Sequence, residues 1–99
     1  MVGFMKFGLS DDVLGKLREI IKKYHYDFFI FGSRARGDYR NNSDIDIAVM
    51  GNVTEKDQIQ IRNEFDALIL PYMIDILFVS NLKNVELIKN IEREGVILS

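Results

Sequence analysis

A strand that stops at Gly32-Ser33, and a second that opens on Asp44-Ile45-Asp46, constrain this chain more than anything else in it. Asp27-Phe28-Phe29-Ile30-Phe31 is aromatic and β-branched, the composition and length of a strand. Ile45 to Met50 reads as the next strand and is closed by Gly51-Asn52. Residues two apart on a strand project from the same face. Ile45, Ile47 and Val49 therefore form one apolar face, and Asp44, Asp46, Ala48 and Met50 form the other. Two carboxylates held side by side resist joint ionisation unless a cation lies between them. Hard oxygen ligands of this kind select Mg²⁺ or Mn²⁺.

Gly32 stands where the first strand must turn sharply, and a residue without Cβ lets a phosphate approach the backbone closely. Ser33 brings a hydroxyl and an N–H to the start of what reads as one helical turn, a natural anion site. Arg34 and Arg36 add positive charge and planar donors suited to phosphate oxygens. Taken alone, Gly-Ser is equally an ordinary turn and the arginines a solvated surface. In the same bland reading, Ser43-Asp44 ends a polar loop and Asp46 caps a neighbour. Asp75 adds weight to the chemical reading. It is the only charged residue in Tyr72-Met73-Ile74-Asp75-Ile76-Leu77-Phe78-Val79, and a lone carboxylate in an apolar strand rarely serves stability. If this strand pairs with residues 45–50, Asp75 falls beside Asp44 and Asp46, a set able to hold two metals for phosphoryl or nucleotidyl transfer.

The flanking elements are legible from periodicity. Ser10 is a candidate N-cap, with Asp11 and Asp12 in the first turn. Val13, Leu14, Leu17, Ile20, Ile21 and Tyr24 make one helical stripe, with Lys22, Lys23 and His25 expected in its last turn. Thr54 and Asp57 resemble a capping box, and Ile61, Phe65, Leu68 and Ile69 form the stripe of a second long helix stopped by Pro71. Residues 73–79 read as a third strand. Ser80 or Asn81 would cap a last helix bearing Val85, Leu87, Ile88 and Ile91, with Gly95 as its stop. Val96-Ile97-Leu98 is either an edge strand or a packed end. The order helix, strand, turn, strand, helix, strand, helix implies an α/β (α+β) domain spanning residues 1–99, a small mixed sheet backed by helices.

Composition narrows the function. The 99 residues are 47% hydrophobic and 28% charged, an ordinary globular balance, and the formal net charge of −2 argues against a broad nucleic-acid-gripping surface. There is no cysteine, which excludes disulfides and thiolate metal sites. Residues 1–7 are too short and interrupted for a signal peptide, and no apolar run reaches the ~20 residues of a membrane span. A cytoplasmic protein is expected. His25 reads as a helix-end residue and Tyr24, Tyr26 and the phenylalanines of 28–31 as core; Tyr39 and Arg40, between the motif halves, read as exposed loop, with contact to nucleotide or partner as the alternative.

Gly32-Ser33, ten residues, Asp44-Ile45-Asp46, and Asp75 on a later strand together resemble the polymerase-beta-type nucleotidyltransferase superfamily. Gly-Ser-Arg-Ala-Arg-Gly followed by Ser-Asp-Ile-Asp-Ile-Ala-Val resembles, more narrowly, its minimal nucleotidyltransferases. The resemblance implies that Gly32 and Ser33 bind the triphosphate of ATP and that Asp44 and Asp46 bridge two Mg²⁺ ions. Asp75 would ligate one of them and help deprotonate the attacking hydroxyl. It further implies transfer of AMP to a protein hydroxyl, with pyrophosphate leaving. Minimal nucleotidyltransferases typically work beside an all-helical HEPN protein, often an RNase toxin whose tyrosine they adenylylate as antitoxins. A hetero-oligomer with such a partner is the expectation, with no membrane and no extended nucleic acid involved. The alternatives are a non-catalytic module that inhibits by occlusion, and nucleotidyl transfer to a small molecule or an RNA end.

Overall fold

The computed structural model describes residues 6–98. The reading of the extreme N-terminus falls largely on residues 1–5, outside that range. Helix α1 spans Asp11–Ile21, strand β1 Asp27–Phe31, the single turn α2 Ser33–Arg36, β2 Ile45–Met50, α3 Glu55–Asp66, β3 Ile74–Phe78, α4 Val85–Glu94 and β4 Val96–Leu98. The sheet runs β3-β2-β1-β4, with β1 antiparallel to β2 and β4, and β2 parallel to β3. It is a mixed sheet with helices packed on it, the α+β arrangement expected. Among the described residues no helix is long and apolar enough to cross a membrane.

Alternation divides the sheet as the sequence pattern requires. Phe28, Ile30, Ile45, Ile47, Val49, Ile76 and Phe78 are buried in one cluster with Val13, Leu14, Leu17, Ile20 and Ile21 of α1 and with Ile61 and Phe65 of α3. The opposite face carries the directly paired residues Phe31 and Asp46, Asp46 and Asp75, Phe29 and Ala48, and Ala48 and Leu77. There, Ile91 of α4 shares a small cleft with Phe29 and Met50.

Three helices begin on side-chain caps. Ser10 Oγ accepts from the Val13 amide at 3.2 Å, Thr54 Oγ1 from Asp57 at 3.1 Å, and Asn84 Oδ1 from Leu87 at 3.2 Å. Each such cap contributes about 1 kcal/mol. The second half of the Thr54 box is diverted, because the Asp57 carboxylate accepts instead from the Tyr26 hydroxyl at 2.6 Å.

Several boundaries differ from the periodic reading. α1 ends at Ile21 with Lys22 as its cap, so Lys23 and His25 lie in the following turn and only Arg18 is basic in the last turn. Lys23 and the Tyr24 hydroxyl, just past the helix, both donate to Glu64 of α3. α3 ends at Asp66, well before Pro71, because the chain must turn there to enter β3 beside β2. Leu68 still packs on the core, but Ile69 is 94% exposed and not part of any buried stripe. β3 is shorter than residues 73–79: Met73 is exposed, and Val79–Asn81 form a 3₁₀ turn that takes up Ser80 and Asn81. Asn84 is therefore the cap of α4. Val96–Leu98 resolves as an edge strand.

Candidate active site

The structure gathers most of the motif at one end of the sheet, and three elements deliver it. β1 ends against Gly32, whose φ of +76° lies in the left-handed region open to glycine. A Cβ placed there would fall on Asp46 Oδ2, so the missing side chain is what allows the Asp46 carboxylate to lie against this backbone. α2 then starts at Ser33, and the first amides of a helical turn have no partner inside the helix. Gly37, at φ +98°, ends the turn in the left-handed conformation, its N–H donating to the Ser33 carbonyl.

β2 supplies Asp46, and Asp44 stands just ahead of its first residue. Parallel pairing sets Asp75 of β3 directly opposite Asp46. Asp44 and Asp75 are exposed and Asp46 is half-buried, so the carboxylates occupy an open face. Burial raises the Asp46 pKa above the ordinary aspartate value, and the neighbouring Asp75 and Asp44 charges raise it further. Arg36 and Arg34 oppose that shift. Among the described residues, no three acidic or histidine side chains already converge closely enough to cage an ion. What the geometry provides is a cluster of hard oxygen donors whose mutual repulsion a divalent cation would relieve. By donor type, though not yet by convergence, these carboxylates fit a divalent cation.

The two arginines part company. Arg36 is exposed at the mouth of the site, its guanidinium 3.3 Å from Glu94 Oε2 and 3.4 Å from Asp38. Arg34 is 2% exposed. Its Nε and Nη2 donate to the Ser43 carbonyl at 3.1 and 2.8 Å, and Nη1 donates to the Phe7 carbonyl at 2.9 Å. The phosphate-gripping position expected for Arg34 is not where the structure puts it, because backbone carbonyls already take its donors.

Three contacts to the two arginines were not legible in the sequence. Tyr39, expected in an exposed loop, and Tyr72 both stack on the Arg34 guanidinium, at 5.2 and 4.6 Å. Nothing local in the sequence announces this, since the two rings lie on opposite sides of β2 in chain order. Glu94, on the last turn of α4, reaches Arg36 across the chain and was equally invisible. His25 lines a separate cleft with Tyr24, Tyr26 and Asp57, and the exposed Arg40 meets Ser43 through its backbone, its N–H donating to Ser43 Oγ at 2.8 Å.

A family model described as "Polymerase beta, Nucleotidyltransferase" matches residues 15–99. No curated protein matches the sequence. Among solved structures, the crystal structure of a toxin-antitoxin with AMP-PNP superposes with a TM-score of 0.67 at 20% identity, over 87% of this chain and 72% of that one. The crystal structure of a candidate nucleotidyltransferase from Sulfolobus solfataricus does so with a TM-score of 0.51 at 23% identity, over 86% and 74%. At such identities the likeness is one of fold.

Proposed function

Since the chain belongs to the polymerase-beta-type nucleotidyltransferase family, we propose that it transfers AMP from ATP to a hydroxyl, with pyrophosphate as the leaving group. The observation that carries this reading is the register of Asp46 and Asp75, with Gly32 cleared of side chain against Asp46. Asp44, Asp46 and Asp75 would hold two Mg²⁺ ions, or Mn²⁺ in their place, and such cations would supply positive charge to offset that on the α-phosphate and the leaving pyrophosphate. The amides around Gly32 and Ser33 cradle the triphosphate, and Arg36, exposed beside them, faces its outer oxygens. Asp75, the more exposed of the paired carboxylates, takes the proton from the attacking hydroxyl.

The acceptor we favour is a tyrosine on a helical HEPN-type RNase toxin, which makes this chain the antitoxin of a cytoplasmic pair. The fold likeness to a toxin-antitoxin solved with AMP-PNP supports that choice. So does the open carboxylate face, which a protein side chain can approach without a channel.

The test uses the purified chain, Mg²⁺, ATP labelled at the α-phosphate, and the candidate helical partner. Label is expected on one partner tyrosine and is expected to vanish with Asp44→Ala and Asp46→Ala. Inhibition of the partner that survives both substitutions, with no label transferred, would replace catalysis with occlusion. Label on RNA or a small molecule, and none on protein, would move the acceptor.

A further inference from the structure

Arg34 is the one charged residue buried among the described residues, and no carboxylate pairs with it there. An isolated buried charge is strongly disfavoured unless dipoles replace its water. Here backbone carbonyls do so. Ser43 accepts from Nε and Nη2, Asn41 from Nη2 at 3.3 Å, and Phe7 from Nη1. Tyr72 and Tyr39 stack on the guanidinium. Gly8, at φ +70°, presses so closely on Tyr39 that a Cβ there would strike the ring. One side chain thus ties the turn at residues 7–8, the loop at 39–43, the turn α2 and the approach to β3.

Those segments are the ones that bear the site. The Ser43 carbonyl belongs to the same peptide unit as the Asp44 amide, so fixing its direction fixes where Asp44 departs. Tyr72 precedes Met73, whose carbonyl accepts from Ile45 at 2.8 Å, in the stretch that leads Asp75 into register with Asp46. None of Arg34's partners belongs to α1 or α3.

We propose that Arg34 is a positioning residue, which sets Asp44 against the Asp46–Asp75 pair by clamping the 39–43 loop, and does not bind phosphate. The inference rests on the reading of those aspartates as metal ligands. A lysine cannot replace it, having neither the planar fork nor the stacking faces.

The test measures Mn²⁺ affinity by electron paramagnetic resonance, and hydrogen exchange, on wild type, Arg34→Lys, Tyr72→Leu and Asp46→Asn without nucleotide. Arg34→Lys is expected to weaken Mn²⁺ binding about 10–100-fold, the usual effect of removing a residue that orients a metal ligand. It is expected to speed exchange across 39–44 while α1 and α3 keep their protection. Tyr72→Leu, which removes one stacking face and keeps the guanidinium, is expected to shift both readouts the same way by less; it carries the test if Arg34→Lys does not fold. Unchanged affinity and unchanged loop exchange would overturn the role of Arg34 and leave the metal reading standing. Equal Mn²⁺ affinity in wild type and Asp46→Asn would overturn the metal reading itself, and this inference with it.

Discussion

Gly32 is held at its position by two independent demands, a left-handed φ and the Asp46 carboxylate lying where a Cβ would go. With ψ at −154°, Gly32 lies in a positive-φ region that is essentially glycine-only, where another residue costs about 1–3 kcal/mol before any clash. Gly32→Ala is therefore expected to lower Tm by several degrees, since a domain of this size loses about 4–8 °C per kcal/mol. Displacement of Asp46 should also cut transfer by about 100-fold, the scale of a 1 Å misplacement, as read in the label assay. Asp46 itself trades stability for its position. Its folded pKa is raised by burial and by Asp75 and Asp44, so the folded state holds the proton more tightly than the unfolded state. The penalty is complete only above the folded pKa. It fades as pH falls through that raised value, and is gone below the ordinary aspartate pKa. Asp46→Asn is expected to melt a few degrees higher than wild type at pH 7 in metal-free buffer, with the difference closing in acid. A wild type that melts higher at pH 7 would contradict this.

Helix α3 separates what a pattern predicts from what a fold uses. Ile61 and Ile69 sit on one extrapolated stripe, yet Ile61 is fully buried and Ile69 is 94% exposed. Ile61→Ala is expected to cost about 2–5 kcal/mol in urea unfolding, through lost burial and the cavity left behind. Ile69→Ala should stay within about 0.5 kcal/mol. The caps were readable in advance at Ser10 and Thr54, where a polar side chain precedes an apolar stripe. The α4 cap was not. Ser80, Asn81 and Asn84 are all competent chemically, and the 3₁₀ turn after β3 selects the last of them.

At the scale of the molecule, the crossover through α3 makes β2 and β3 parallel and brings Asp75 to Asp46. A site assembled from three segments only in the folded state must stabilise that state when it binds. With Mg²⁺ and a non-hydrolysable ATP analogue at ten times its Kd, the gain is about 1.4 kcal/mol. That corresponds to about 6–11 °C in Tm. A chelator, or Asp44→Ala with Asp46→Ala, should remove most of the shift in a thermal scan. An undiminished shift in the double variant would place nucleotide elsewhere.

Periodicity, caps and breakers are local, and they were enough to mark α1, β1, β2 and the Gly32-Ser33 and Asp44-Ile45-Asp46 motif in the bare sequence. They placed Asp46 on the face of β2 opposite Ile45 and Ile47, with a glycine turn nearby in the chain, while Asp44, expected on that same strand face, stands just ahead of the strand. They did not determine sheet order, so Val96–Leu98 was equally an edge strand or a packed end until β1 was seen to pair with it. Nor could they assign Arg34. Its surroundings come from Phe7, Tyr39, Asn41, Ser43 and Tyr72, and no window of sequence holds them all. Whether a guanidinium meets phosphate or carbonyl depends on which distant backbone folds over it, and only tertiary packing decides that.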